Sequence, residues 1–121
     1  MPGPQLDIKV EHVEGIAVVT LIGVVDAATI ESVKRTLEPL LARNPPRILI
    51  DGSGLSFINS LGFGLFLSWT RSATTRNGQF AVCGLRDRTR GIIKILGMEP
   101  LMNLYPSQAE ALILMNEPGA S

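Results

Sequence analysis

The run IAVVTLI, Ile16 to Ile22, is interrupted by a single polar side chain, Thr20. A strand with one wet face alternates apolar and polar residues, because successive side chains point to opposite sides. A nearly continuous apolar run is instead the pattern of a strand covered on both faces, and helices are the usual cover. The chain is therefore expected to fold as an α/β layer structure.

The patterns on either side agree. Leu6, Ile8 and Val10 alternate with Asp7, Lys9 and Glu11, the period of an edge strand, and Glu14 with Gly15 supplies the turn that makes the first two strands a hairpin. After Gly23, Asp26 or Thr29 can cap a helix with Ile30, Val33, Leu37 and Leu40 or Leu41 on one face. Asn44, Pro45 and Pro46 stop it, and Pro39, which has no amide proton, predicts a kink or an early end. RILID is a short buried strand, followed by GSGLSFIN as a glycine-rich loop. Ser60 then opens a helix through LGFGLFLSWTRSATT that ends near Asn77 and Gly78, and QFAVCG is the next strand. DRTRGIIKIL predicts a third helix with Ile92, Ile95 and Leu96 inward, Arg86, Arg88, Arg90 and Lys94 outside, and Gly97 at its C-terminal cap. MNLY is a short last strand, and Ser107 with Glu110 has the spacing of a capping box for AEALILM.

The element order is β-β-α-β-α-β-α-β-α, which implies an α/β fold with a mixed sheet of about five strands and about four packed helices. At 121 residues, one domain over 1–121 is expected, with its core at about 6–115 and frayed termini. The start, MPGPQLDIKV, lacks the sections of a secretory signal, and no apolar run approaches the ~20 residues of a membrane span, so a cytoplasmic protein is expected.

Catalytic chemistry finds few candidates. His12 is the only histidine and lies on the wet first strand, and Cys83 is the only cysteine and lies inside a strand, away from the electropositive setting that makes a thiolate. One histidine and one cysteine cannot furnish a zinc shell, so no metal or other cofactor is expected. Eleven basic residues balance eleven acidic ones, which leaves no overall field to hold a nucleic-acid backbone or an anionic membrane. The glycines of DGSGLSFINSLGFG lack the Gly-Lys-Ser/Thr ending of a P-loop, and Ile58 stands where G-x-S-x-G needs glycine. A protein-binding module is expected rather than an enzyme.

FINSLGFG is the segment with most to offer a partner. A serine at a helix N-cap sits among free backbone amides at the positive end of the helix dipole. Ser60 can serve only as the cap, or it can accept a phosphate that adds about 1.5 to 2 negative charges to a contact surface. Gly62 and Gly64 are either close-packing positions or accessible backbone, and Phe63 either an exposed anchor or an inward residue.

RILIDGSGLSFINSLGFGLFL, preceded by LIGVVDAAT and followed by Gly78 and GMEPLMNLYPSQAEAL, resembles the STAS family of bacterial anti-sigma factor antagonists, over about Leu6 to Leu114. The resemblance implies a mixed sheet with packed helices. It also implies a mechanism: the unphosphorylated antagonist binds a serine-kinase anti-sigma factor, frees a sigma factor, and is reversed when the kinase phosphorylates it. By that resemblance the acceptor is Ser60, after Asn59. Asp26 matches the family aspartate near the acceptor, and Asp51 with Ser53 matches its D-x-S strand ending. The partner surface is then Leu61, Gly62, Phe63 and Gly64, the partners are the kinase and a phosphatase, and the chain is a monomer or weak dimer. Two positions depart from the family pattern: Asn59 stands where many relatives have aspartate, and Leu61 where many have a second hydroxyl. Two alternative functions are a scaffold subunit of a stressosome-like signalling assembly, within the same family, and a nucleotide-binding domain built on the Ser60 loop, against which the absence of a P-loop lysine argues.

Overall fold

A computed structural model describes residues 5–117; the outermost residues expected to fray, 1–4 and 118–121, lie outside the described residues. Strands β1 (Leu6–Val13) and β2 (Ile16–Val25) form the hairpin. Glu14 and Gly15 both adopt positive φ, 52° and 83°, as a tight turn between right-twisted strands requires. Helix α1 (Ile30–Leu41), strand β3 (Arg47–Ile58), helix α2 (Ser60–Thr75), strand β4 (Gln79–Cys83) and helix α3 (Asp87–Ile95) follow. A 3₁₀ turn (Glu99–Leu101), strand β5 (Leu104–Tyr105) and helix α4 (Gln108–Met115) close the described chain.

The sheet order is β1-β2-β3-β4-β5, with β1 antiparallel to β2 and every other neighbour parallel. The IAVVTLI strand is covered on both sides. Ala17, Val19 and Leu21 face α1, α2 and α3, in one core with Val33, Leu37, Phe66, Trp69, Phe80 and Ile93. Ile16 and Val18 face α4, in a second core with Leu49, Ala81, Cys83, Ala111 and Met115. Eight helical residues span only about 12 Å, so among the described residues α4 does not reach the far end of this face, where Ile22 is exposed.

Side chains fasten the helix ends. The Arg76 guanidinium donates to the carbonyls of Leu41, Ala42 and Arg43, which closes the C-terminus of α1. Pro39 sits within the last turn of α1 without stopping it, since the helix ends two residues later at Leu41. Arg47 and Gln79 both donate to the carbonyl of Met115, at 3.1 and 3.0 Å, and pin the end of α4 to the sheet. Ser107 caps the start of α4 by accepting the Glu110 amide at 3.2 Å.

Two expectations need correction. GSGLSFI, Gly52 to Ile58, is strand, not loop: β3 keeps its ladder with β2 as far as Val25↔Ile58, although its pairing with β4 ends at Asp51↔Cys83. Extra residues in β3, around Gly52 and Ser53 and again at Ser56, are absorbed as bulges between the paired positions. The glycines serve close approach there. A Cβ on Gly54 would stand 3.0 Å from Ile22 Cγ1 and 3.2 Å from the Leu21 carbonyl oxygen.

The second correction concerns α3. Thr89 and Ile93, one turn apart, face the core, while Ile92, Ile95 and Leu96 are exposed. Ile95 lies about 200° round the helix from Ile93, so the two cannot face the core together.

Candidate functional site at the N-terminus of helix α2

The site begins where the β2–β3 ladder ends. The Asn59 amide donates to the Val25 carbonyl at 3.0 Å, so the last residue before α2 is still held by β2. Asn59 is extended, and its Oδ1 accepts the Gly62 amide at 2.9 Å. Asn59, not Ser60, is therefore the N-cap. The two residue types compete equally well for that position, and the strand pairing places Asn59 in it.

Ser60 becomes the first residue of the helix, exposed, and its hydroxyl makes no hydrogen bond with the described residues. The Phe63 amide donates to the Asn59 carbonyl at 3.1 Å, as the Gly62 amide does to the Asn59 side chain. The amides of Ser60 and Leu61 have no acceptor among the described residues. The first turn holds no acidic side chain. Two free N–H groups, the positive end of the dipole and an unbonded hydroxyl therefore coincide, an environment that favours an anion.

Asp26 borders this end through Val25. Its Oδ1 accepts the amides of Ala28 and Thr29 at 2.9 and 3.2 Å. Thr29, 1% exposed, donates from Oγ1 to the Val24 carbonyl at 2.8 Å and accepts the Asp26 amide at 3.0 Å. Thr29 is the N-cap residue of α1, but its hydroxyl holds the β2–α1 turn rather than a helix amide. The turn beside Asn59 is thus internally bonded.

Asp51 and Ser53 are not brought to Ser60. Seven strand residues at roughly 3.3 Å each put Asp51 on the order of 20 Å from the start of α2. Its Oδ1 accepts the Ser53 amide and hydroxyl at 3.0 and 2.8 Å, bonds that hold the first bulge of β3. Asp51 pairs with Cys83 across the ladder. Burial, with the Asp51 carboxylate adding to it, pushes the Cys83 thiol up to about 12, which leaves it a protonated core side chain.

The expected landing area divides. Leu61 is 54% exposed and Gly64 is open, but Gly62 and Phe63 are buried. A Cβ on Gly62 would lie 2.7 Å from Ile58 Cγ1 and 2.9 Å from Val25 Cγ1, whereas one on Gly64 would touch nothing within 4 Å. Phe63 faces the core because α2 must bury Phe63, Phe66, Trp69 and Ala73 on the same stripe.

Sequence reasoning missed Phe57, which is 52% exposed. The bulge at Ser56 breaks the period of two and leaves Ser56 and Phe57 both exposed, and no residue pattern announces it. Phe57, Ile58 and Phe63 line one side of a cleft of about 110 Å³, and Arg88, Thr89 and Ile92 line the other. Among the described residues no group of three or more His, Cys, Asp or Glu side chains is arranged to hold a metal ion. No helix among them is long and apolar enough to cross a membrane.

Similar proteins share this frame. The anti-sigma F factor antagonist of Paenibacillus polymyxa is 26% identical over 109 residues, covering 89% of this chain and 93% of that protein. The crystal structure of an anti-sigma factor antagonist from Mycobacterium paratuberculosis superposes with a TM-score of 0.85 at 25% identity, covering 97% of this chain and all of the other. The phosphorylated form of the Bacillus cell fate determinant SpoIIAA has the same fold, with a TM-score of 0.68 at 21% identity over 88% of this chain and 97% of its own. A family model for the STAS domain matches residues 7–111. That span holds nearly all of the hairpin, helices α1 to α3 on one face of the sheet and the strand-held start of α2, and the chain belongs to the STAS domain family.

Proposed function

We propose that this chain is an anti-sigma factor antagonist whose grip on a serine-kinase anti-sigma factor is switched by phosphorylation of Ser60. The observation that carries the reading is the state of Ser60, exposed at the start of α2, with its hydroxyl unbonded among the described residues and the capping role taken by Asn59. Phosphate can be added there without breaking a bond that holds the fold. The negative charge then arrives beside free amides that tolerate it and in the path of an approaching partner.

The names of the relatives support the binding half of this reading, and the solved phosphorylated form of SpoIIAA supports modification as a property of that protein. Asn59 keeps the cap without placing a second negative charge beside the acceptor. Asp26 shapes the neighbouring turn, Leu61 and Gly64 are the accessible contact positions, and Asp51 with Ser53 supports the strand that delivers Asn59. In this reading the chain acts in the cytoplasm as a binding module rather than an enzyme, and a phosphatase resets it.

The test uses the full chain, its anti-sigma factor kinase and ATP. Mass spectrometry is expected to place phosphate on Ser60, and Ser60→Asp is expected to bind the kinase about ten-fold or more weakly than Ser60→Ala. No phosphate on Ser60, together with equal binding by the two variants, would overturn the proposal.

A further inference from the structure

Helix α3 is docked through one side only. Ile93 is fully buried, yet Ile95 is 85% exposed, and Ile92, Leu96 and Leu101 are each at least 40% exposed. Isolated apolar side chains on a surface need no explanation, but these four fall within ten residues of chain, from the last turn of α3 through the 3₁₀ turn after it. Ile92 also continues the patch into the cleft, whose opposite wall carries Phe57.

The rim of this patch is basic. Arg86, Arg88, Arg90 and Lys94 are all exposed, and the one ion pair among the described residues, Lys34–Glu31, is on α1. Arg90 and Lys94 share an open hollow with Asp87 and Glu99. Arg88 instead lines the cleft, whose described lining residues include no carboxylate. Arg86, Arg88 and Arg90 crowd the N-terminal half of α3, where the helix dipole is already positive, so they oppose the helix rather than support it.

We propose that the cleft between Phe57 and Ile92 is the second half of the partner interface. It takes a segment of the anti-sigma factor that presents an apolar side chain beside a carboxylate, the carboxylate pairing with Arg88. This rests on the reading of Ser60 above and names the chemistry of the partner it binds. The cleft is continuous with that site, since Ile58 and Phe63 form its wall and bracket Asn59, Ser60 and Leu61 in the chain. A phosphate on Ser60 repels the same carboxylate, which links the switch to the contact.

Other occupants fit less well. A second copy meeting this face across a two-fold axis would bring two arginine clusters together. A lipid surface would find a concave cleft on a chain whose net charge is +0.

The experiment is calorimetric titration of the purified anti-sigma factor kinase into the full chain and into Arg88→Glu, Arg88→Lys, Ile92→Ala and Ser60→Asp, with thermal unfolding of each variant. Arg88→Glu and Ile92→Ala are expected to weaken binding about ten-fold or more, and Arg88→Lys only about two- to three-fold, with folding retained. Unchanged binding by Arg88→Glu and Ile92→Ala, while Ser60→Asp still weakens it, overturns the cleft and leaves the reading of Ser60 standing. Loss in the cleft variants with Ser60→Asp unchanged supports the cleft and overturns the phosphorylation switch. Sedimentation showing self-association that Ile95→Asp abolishes, with kinase affinity intact, assigns the face to a second copy and overturns the proposal. Arg88-dependent cosedimentation with phosphatidylglycerol vesicles, again with kinase affinity intact, assigns it to a lipid surface with the same result.

Discussion

The Oδ1 atom of Asn59 accepts the amide proton of Gly62 at 2.9 Å, and this bond gives Asn59 the capping role while leaving the hydroxyl of Ser60 without a partner among the described residues. A residue that caps a helix is not easily modified without loss of stability. A residue just inside the helix is.

Asn59→Ala is expected to lower unfolding stability by about 0.5 to 2 kcal/mol, because Gly62 loses its acceptor. Asn59→Asp keeps the acceptor and adds a negative charge at the positive end of α2, so it is expected to be at least as stable as the wild type. Ser60→Ala is expected to stay within about 0.5 kcal/mol. Urea unfolding of the three variants checks this order, and a larger loss for Ser60→Ala than for Asn59→Ala would reverse the assignment of the cap.

The two glycines of α2 are expected to respond oppositely to alanine. Gly62→Ala forces a methyl against Ile58 and Val25, at a cost of roughly 1 to 3 kcal/mol. Gly64→Ala meets open space and gains roughly 0.5 to 1 kcal/mol of helix preference. Thermal unfolding measures both.

Phe63 and Phe57 separate packing from contact. Phe63→Ala is expected to cost about 3 to 5 kcal/mol of stability, as removal of a buried aromatic ring does. Phe57→Ala and Leu61→Ala, both at exposed positions, are expected to change stability by no more than about 0.5 kcal/mol and to weaken kinase binding. Paired unfolding and binding measurements distinguish the two classes.

The Cys83 thiol gives a pH signature. Burial and then the Asp51 carboxylate raise it from 9.0 to about 12, so the folded chain holds a proton that the unfolded chain releases first. Its contribution is fully present below the unfolded value and is lost as pH rises from 9.0 toward about 12. The melting temperature of the wild type is expected to fall more steeply between pH 9 and 11 than that of Cys83→Ala, which has no thiol to ionise. Equal slopes would show that Cys83 does not couple to folding.

Much of the architecture was legible in the residues, because the signals were local. Turn chemistry at Glu14 and Gly15, the period of two in β1, and the spacing of three and four in α1 each describe a segment that can be read without its neighbours. The continuous apolar run of β2 even announced cover on both sides of the sheet, and both cores are there. Hydrophobic pattern and capping chemistry depend on the chain alone.

The details of the site depended on pairing between segments distant in sequence. Glycine and serine around Ser53 look like a loop until β2 supplies a partner for each residue beyond the bulges. Asn59 and Ser60 are equal candidates for the cap until the Val25 carbonyl takes the Asn59 amide and settles which residue comes first. The same is true of α3, whose isoleucines offer two faces and whose docking on Thr89 and Ile93 selects one. The sequence by itself determined the order of the elements and the place in the chain of the candidate site. Only the tertiary structure decided which side chains there meet solvent, because exposure is set by what packs against a residue and not by the residue itself.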